Sequence, residues 1–183
     1  MKNLHIFCFI FISYFCFSQS VDDLDVKNGF RNFKLGSSPL QNKNIEKREK
    51  QNATYPTTEV YEYTGKDIES IFGVNVEKVS LLFFKNKLFS IRVSFGYPGH
   101  PFELKEFNII QTNLEETYGK NWEPLNGEFL LNGCVWEGKN VTLELCRGDF
   151  DKNKTEDLVE NSIFGYMHVF DKKLMKEMYQ SNF

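Results

Sequence analysis

The sequence has few residues of the types that most often carry catalysis or bind transition metals. It contains three histidines and four cysteines in 183 residues, and His5, Cys8 and Cys16 all fall at the N-terminus. The motifs G-x-S-x-G and H-E-x-x-H, a phosphate-binding glycine loop and a dinucleotide fingerprint are all absent. These absences favour a non-catalytic protein without a bound cofactor.

The sequence also lacks an excess of positive charge and a second long hydrophobic run. Its 22 basic and 25 acidic residues give a formal charge of -3. Binding to nucleic acid or to an anionic membrane surface needs a basic patch, so neither is expected. Beyond the N-terminal run, no apolar stretch approaches the roughly 20 residues of a membrane-spanning helix, so no span is expected once that run is removed.

Residues 1–19 are typical of a secretory signal peptide. A short positive start, Met1-Lys2-Asn3, precedes an apolar run from Ile6 to Phe17, and small or polar residues follow at Ser18, Gln19 and Ser20. The run is too short to span a bilayer with ordinary flanks. It predicts cleavage and a periplasmic or secreted protein, with a retained N-terminal anchor as the alternative.

Only Cys134 and Cys146 remain after cleavage, which in an oxidising compartment suggests a disulfide. The surrounding pattern, however, predicts a hairpin with a two-residue turn at Gly138-Lys139, in which Trp136 faces Val141 and Cys134 faces Leu143. Cys146 then points to the opposite side of the sheet from Cys134. A disulfide and two buried free thiols both stay open.

The mature chain divides by composition into two parts. Residues 20–56 form a polar segment in which only Gly29 to Gly36 has the alternation of a short strand. Residues 57–183 carry the strong hydrophobic patterns and are expected to form a single α+β domain. The polar stretch from Asn42 to Asn52 has too few apolar residues to enter a core and is expected to be a surface loop or helix.

Hydrophobic periodicity within residues 57–183 predicts three strands, a helix, three strands and a final helix. The first strands are expected at 59–63, 76–84 and 88–95. Residues 128–131 lead into the hairpin around Gly138, and the two strands of this hairpin and residues 162–170 are the later three. Apolar residues at helical spacing between Phe102 and Tyr118 predict an amphipathic helix stopped by Gly119. The order βββ-α-βββ-α indicates an antiparallel sheet of about six strands, packed on one face by helices.

Three segments carry a resemblance to a group of known proteins. They are Gly29-Phe30-Arg31-Asn32-Phe33-Lys34-Leu35-Gly36, the strand at Leu88-Phe89-Ser90-Ile91 and the helix end at Tyr118-Gly119-Lys120. The chain resembles small exported bacterial proteins of unassigned function that open with an F-R-x-[FI]-x-x-G element. The resemblance implies export from a bacterium and carries no activity.

The acidic loop at residues 149–160 places oxygen donors at six positions of a twelve-residue segment. They stand at positions 1, 3, 5, 7, 9 and 12 and are Asp149, Asp151, Asn153, Thr155, Asp157 and Glu160. This is the ligand spacing of an EF-hand calcium loop. Lys154 replaces the usual turn glycine, and strands rather than helices are expected on both sides. The two hypotheses are a calcium site and a solvated acidic turn.

Aromatic residues near strand ends supply the remaining candidates for contact with a ligand or partner, namely Tyr97, His100 and Trp122. The favoured function is an exported, non-catalytic domain that binds a protein or cell-envelope component through a sheet face or the loop from Tyr97 to Pro101. The alternative is a small-ligand or calcium-binding module. A third possibility is an enzyme that uses His100 or His168, and it requires one of these histidines to share a cleft with a carboxylate.

Overall fold

A computed structural model gives the structure of residues 20–48, 56–97, 99–149 and 163–182. The helices are α1 (Asp22–Lys27), a 3-10 helix (Pro39–Gln41), α2 (Leu104–Tyr118) and α3 (Lys172–Asn182). The strands are β1 (Gly29–Phe30), β2 (Phe33–Lys34), β3 (Ile45–Lys47), β4 (Thr58–Tyr63), β5 (Ser70–Ile71), β6 (Val74–Asn75), β7 (Lys78–Phe84), β8 (Lys87–Phe95), β9 (Glu123–Pro124), β10 (Leu130–Glu137), β11 (Val141–Asp149) and β12 (Ile163–Asp171).

The fold is α+β and is built around one antiparallel sheet, as the sequence predicts. The sheet has eight strands rather than about six, in the order β3-β4-β7-β8-β12-β11-β10-β9. The six long strands and the two long helices follow the predicted order. The additional strands β3 and β9 extend the edges of the sheet, and β1–β2 and β5–β6 form separate two-stranded sheets.

The β10–β11 hairpin has the predicted faces but a register shifted by two residues. Trp136 pairs with Leu143 rather than Val141, and Cys134 pairs with Leu145 rather than Leu143. The position of the turn causes this shift. The Gly138 N–H donates to the Val141 carbonyl at 2.9 Å, so the two residues of the turn are Lys139 and Asn140 rather than Gly138 and Lys139. A shift of two residues leaves every side chain on its original face of the sheet.

One side of the sheet, here called the core face, carries the main hydrophobic core. Helix α2 buries the four residues Phe107, Ile110, Leu114 and Tyr118, which recur at three- and four-residue steps and belong to the core of the sheet. Gly119 ends the helix with a φ of 84°. The Gly119 carbonyl accepts a hydrogen bond from the indole N–H of Trp136 at 2.9 Å, which joins the end of α2 to β10.

The opposite side of the sheet, here called the groove face, is covered by α3 at one end. Met178 is fully buried there with Phe84 and Phe89 in a second, smaller cluster. The helices therefore lie on both faces, whereas the sequence analysis expected them on one. Residues of β4, β7, β8, β11 and β12 beyond α3 line an open depression, described below.

The polar N-terminal segment contributes to the main core. Leu24, Phe33 and Leu35 are at most 5% exposed and pack with the sheet and α2. The Asp25 carboxylate of α1 accepts hydrogen bonds from three successive backbone N–H groups of the β10–β11 turn at 2.7–2.9 Å. The predicted strand at 29–36 is two short strands, β1 and β2, that pair with each other.

No helix among the described residues is both long and apolar enough to cross a membrane. The predicted signal peptide, at residues 1–19, lies outside the described residues.

Candidate functional site

The loop residues Tyr97 and His100 contact each other at the end of β8. Their backbones exchange two hydrogen bonds, at 3.0 and 2.8 Å, and their ring centroids are 4.5 Å apart. Both residues are exposed and line a shallow cleft of about 440 Å³ that also includes Glu103 and Glu106. The contact between the rings holds the loop in a compact turn, and binding of a partner there stays a prediction.

Trp122 lies elsewhere and does not line the cleft of Tyr97 and His100. Its ring is half-buried against the core, 6.4 Å from the ring of Trp136. Its indole N–H donates to Glu115 Oε1 at 2.8 Å. These contacts account for Trp122 as a packing residue between α2 and the edge of the sheet.

Asp149 is the one member of the predicted calcium loop that the structure describes. It ends β11 and is 8% exposed, and its backbone N–H donates to the Phe129 carbonyl at 2.8 Å. The other five candidate ligands, Asp151, Asn153, Thr155, Asp157 and Glu160, lie outside the described residues. Within the described part of the chain, no group of three or more His, Cys, Asp or Glu residues could hold a metal ion.

Both cysteines of the hairpin are buried free thiols, which is one of the two alternatives that the sequence left open. Cys134 belongs to the core face, and the adjacent register places Cys146 on the groove face. Burial raises the pKa of Cys134 to about 12 and that of Cys146 to about 11. Little thiolate forms near neutral pH at such values, so neither thiol is an activated nucleophile.

The groove face holds a cavity of about 610 Å³, here called the groove. Its polar lining residues come from four central strands and are Lys78, Ser80, Ser90, Arg92, Ser94, Glu144 and His168. Its apolar lining residues come from β4, β7, β8, β12 and α3 and are Val60, Leu82, Phe89, Phe170, Met175, Met178 and Tyr179. Cavities of this volume, with a few convergent polar groups in an apolar lining, are typical of small-molecule sites.

Strand register places the polar groups of the groove in a row across the sheet. The row runs through paired residues of β4, β7, β8, β12 and β11, which are Glu62, Ser80, Arg92, His168 and Glu144. Residues in register on neighbouring strands share a face and lie close enough to interact. Glu62, at one end, forms an ion pair with Arg48. The other end of the row therefore brings Arg92, His168 and Glu144 together.

Three side chains of the groove form a continuous chain of hydrogen bonds. Ser90 Oγ lies 2.7 Å from His168 Nε2, and His168 Nδ1 lies 3.2 Å from Glu144 Oε2. The three residues come from the adjacent strands β8, β12 and β11. His168 therefore shares a cleft with a carboxylate, which is the condition set above for an enzymatic role of a histidine. His100 meets the same condition through Glu103 and Glu106, but the ring of His168 is in addition hydrogen-bonded to its carboxylate.

The donors and acceptors in this chain follow from its chemistry. An ionised carboxylate only accepts hydrogen bonds, so His168 Nδ1 carries the proton and donates to Glu144. In the neutral ring Nε2 then has a free lone pair and accepts a hydrogen bond from the Ser90 hydroxyl. Burial lowers the pKa of His168 from its usual 6.5, the Glu144 carboxylate partly opposes this, and the charge of Arg92 adds to the lowering. The ring is neutral at pH 7.

A β-bulge in strand β8 brings Phe89 onto the same face of the sheet as Ser90. Leu82 pairs with Ser90, and the next residue, Phe83, pairs with Leu88, so Phe89 is an extra residue on β8. Phe89 packs in the cluster beneath α3 while Ser90 lines the groove, so the side chains of two successive residues lie on the same face of the sheet. Bulges redirect side chains in this way and are frequent beside active sites.

Polarity changes along the groove. The end beneath α3 is lined by apolar side chains, including Phe89 and Met178, whereas Lys78 and Arg92 lie towards the far end of the strands. Among the described residues, neither of these two cations forms an ion pair. Arg92 is exposed, and its guanidinium lies 4.7 Å from the centre of the Tyr166 ring. The groove thus combines an apolar end with a cationic end.

Sequence reasoning placed His168 in a strand but did not find its partners. Ser90 and Glu144 are 78 and 24 residues away from it along the chain, and neither belongs to a known catalytic motif. The available signal was the strand pattern, which places Ser90 on the face opposite Ile91. Only the order and register of the strands bring the three residues together.

The chain matches no protein-family model, no curated protein and no solved structure. The groove itself is therefore the basis for assigning a function.

Proposed function

We propose that the protein binds a small anionic amphiphile, a molecule with one negatively charged head and a short apolar chain, in the groove. The observation that carries this proposal is the division of the groove into an apolar end beneath α3 and a cationic end at Lys78 and Arg92. The proposal takes up the small-ligand alternative of the sequence analysis and locates the ligand on the sheet rather than in the 149–160 loop.

The head group would lie at the cationic end. Arg92 and Lys78 offer positive charge there, and Ser80 and Ser94 add hydroxyl groups beside them. The carboxylate of Glu62 is paired with Arg48, and that of Glu144 accepts a hydrogen bond from the neutral His168 ring and keeps its charge, so the two cations of the groove outnumber its one uncompensated carboxylate. The remaining charge favours an anion, which a guanidinium binds through two parallel hydrogen bonds.

The apolar chain would lie against α3. Met175, Met178 and Tyr179 form one wall of the groove, and Leu82, Phe89 and Phe170 form its floor. Burial of a chain there removes apolar surface from water on both sides, which is the main driving force for binding small molecules of this kind. Methionine side chains adapt to irregular shapes, so chains of several lengths should be accepted.

The setting of this function is proposed to be outside the cytoplasm. The support is the signal-peptide pattern of residues 1–19 and the resemblance of the segment from Gly29 to Gly36 to exported bacterial proteins. Binding of a protein or cell-envelope component through the loop from Tyr97 to Pro101 stays a separate prediction.

The test is isothermal titration of the purified protein with straight-chain carboxylates from hexanoate to dodecanoate. A cationic amphiphile with the same chain, decyltrimethylammonium, is compared with decanoate. We expect saturable binding of the carboxylates, an affinity that rises with chain length, and weaker binding of the cation. Arg92→Gln and Lys78→Gln should each weaken decanoate binding about tenfold, the loss expected from one charge-assisted contact.

Lys120→Gln is the matched control because Lys120 lies beyond the end of α2 and outside the groove. It removes the same charge and should leave decanoate affinity unchanged. Equal binding of the anionic and cationic amphiphiles, or equal losses in the control and groove variants, would contradict the proposed head-group site.

A further inference from the structure

We infer that the groove hydrolyses carboxylic esters of short apolar acyl groups, with Ser90 as the nucleophile, His168 as the general base and Glu144 as the residue that orients His168. The inference rests on the proposed function, because the acyl chain of the ester would lie where the chain of the amphiphile lies. It adds a reaction to the binding site and names its substrate class.

The geometry is that of an activated hydroxyl. The two ring nitrogens of His168 bond to Ser90 on one side and to Glu144 on the other, at 2.7 and 3.2 Å. A nucleophile bonded to a base that is itself oriented by a third group is the signature of nucleophilic catalysis, and it recurs on unrelated folds. Such a triad is recognised by geometry rather than by chain order.

The scaffold holds the three groups rigidly. Ser90, His168 and Glu144 stand on central strands, each paired on both sides within the eight-stranded sheet. Ser90 and His168 are 2% and 8% exposed, so their rotamers are constrained by packing. Catalytic groups built on strands keep their mutual geometry better than groups on loops, and a low-polarity floor strengthens the hydrogen bonds between them.

The protonation state suits a general base. At neutral pH the Nε2 lone pair of His168 is free to accept the Ser90 proton, because Nδ1 donates to Glu144. The Glu144 carboxylate then stabilises the imidazolium formed during the reaction. Arg92 pairs with His168 across β8 and β12 and lines the groove. Its positive charge is available to the oxyanion.

The first half of the reaction transfers the acyl group to the protein. Ser90 Oγ forms a bond to the carbonyl carbon, its proton passes to His168 Nε2, and the carbonyl electron pair moves to oxygen. Collapse of this intermediate breaks the bond to the alkoxy oxygen, which takes the proton from Nε2 and leaves as the alcohol. An acyl ester of Ser90 remains.

Water completes the reaction. A water molecule gives a proton to His168 Nε2 and bonds to the acyl carbon, and Ser90 Oγ leaves and recovers that proton. The products are the alcohol, the carboxylic acid and the protein in its original state, so no oxidant or reductant is needed. The released carboxylate has the charge and chain that the groove is proposed to bind.

The first experiment needs no variant. The purified protein is treated with an alkyl fluorophosphonate, which reacts with activated serine hydroxyls, and the modified peptide is identified by mass spectrometry. We expect one label, on Ser90, and protection by decanoate. A label on Ser80 or Ser94 of the same groove, or no label above that on the heat-denatured protein, would overturn the inference.

The second experiment measures turnover of p-nitrophenyl butyrate and octanoate. Ser90→Ala and His168→Gln should each lower kcat about a thousandfold or more, as for other members of a catalytic triad. Ser70→Ala, an exposed serine in β5, is the control and should keep the wild-type rate. Circular dichroism and thermal melting check that each variant is folded. If a variant does not fold, labelling of the wild-type protein tests the inference in its place.

Glu144 is a positioning residue, so its test includes a pH profile. The wild-type rate should fall as the pH drops through the lowered pKa of His168, because the base becomes protonated. Glu144→Gln removes the group that raises that pKa, so the acid limb should move to lower pH while the maximal rate falls about ten-thousandfold. A lower rate with an unmoved acid limb would contradict the positioning role.

Failure of this inference can be told apart from failure of the proposed function. Carboxylate binding without labelling or turnover would overturn the reaction and leave the binding function standing. Labelling of Ser90 with turnover, but without saturable carboxylate binding, would support the triad and overturn the proposed ligand class. Absence of binding, label and turnover would overturn both.

Discussion

The ring of His168 is buried between a hydroxyl and a carboxylate, and this burial links the groove to the stability of the protein. Removal from water lowers its pKa, the hydrogen bond to Glu144 partly opposes this, and the charge of Arg92 adds to the lowering. In the unfolded chain the ring has its ordinary value near 6.5. The unfolded state therefore binds this proton more readily than the folded state does.

The sign of the resulting pH dependence follows by linkage. Stability rises with pH wherever the unfolded state binds more protons, so the contribution of His168 is complete above its unfolded pKa. It is lost as the pH falls from about 6.5 towards the lowered folded pKa. We predict that His168→Gln flattens this part of the profile, because glutamine can donate to Glu144 and accept from Ser90 without titrating. Urea unfolding between pH 7.5 and pH 5 measures the difference.

His100→Gln is the matched control for this prediction, since it removes an exposed imidazole from a loop outside the groove. It should keep the pH dependence of the wild-type protein. A wild-type profile that His100→Gln flattens and His168→Gln leaves unchanged would show that the buried ring does not carry the effect.

The limit of sequence reasoning at this scale is set by register. The alternation of β8 and β12 predicts which face Ser90 and His168 occupy, since period-2 patterns depend only on neighbouring residues. Which serine lies beside the histidine depends on the pairing of distant strands. The β8–β12 register pairs His168 with Arg92 and Phe170 with Ser90, so Ser90 reaches His168 diagonally, and no local pattern marks it.

Long elements were predictable and short ones were not. The helix from Leu104 to Tyr118 and the six long strands carry enough periodic apolar positions to be recognised. Strands β3 and β9 have only three and two residues. They form because the outer strands of the sheet offer backbone groups with which they can pair. The position of α3 on the groove face was missed because its apolar residues show that it packs, but not on which face.

Helix α3 provides the prediction at the scale of an element. Met178 is fully buried against Phe84 and Phe89 and also lines the groove. Met178→Ala removes these contacts and leaves a cavity, so the free energy of unfolding should fall by about 2–5 kcal/mol. Urea unfolding gives the change, and hydrogen exchange shows whether the amides of α3 lose protection before those of β8.

Gln180→Ala is the control in the same helix. Gln180 is exposed, and alanine favours a helix, so stability should stay within about 0.5 kcal/mol of the wild-type value. A similarly small effect of Met178→Ala would mean that α3 does not close the end of the groove in solution.

At the scale of the whole molecule, the two faces of the sheet differ in coverage. The core face is covered by α1, α2 and the N-terminal segment, whose residues Leu24, Phe33 and Leu35 join the main core. Among the residues that the structure describes, those that cover the groove face belong to α3 and lie at one end. A sheet with one sealed face can keep its fold while the other stays open to a ligand, which is how a stable domain can carry an exposed site.

The attachment of α1 tests whether the N-terminal segment folds together with the rest. The Asp25 carboxylate accepts hydrogen bonds from the N–H groups of Lys139, Asn140 and Val141, the last of them partly buried. Charge-assisted bonds of this kind are stronger than neutral ones. We predict that Asp25→Ala lowers the free energy of unfolding by about 1–3 kcal/mol. Unfolding should stay a single cooperative transition, measured by urea denaturation with fluorescence and circular dichroism.

The control for Asp25→Ala is Asp22→Ala, which removes a carboxylate from the exposed first turn of the same helix. It should cost less than about 1 kcal/mol, the usual scale of a helix-dipole contribution. Separate transitions for the two probes in the wild-type protein would mean that the N-terminal segment unfolds on its own. Coincident transitions, with a loss specific to Asp25, would show that the segment sealing the core face is part of the same folding unit as the groove.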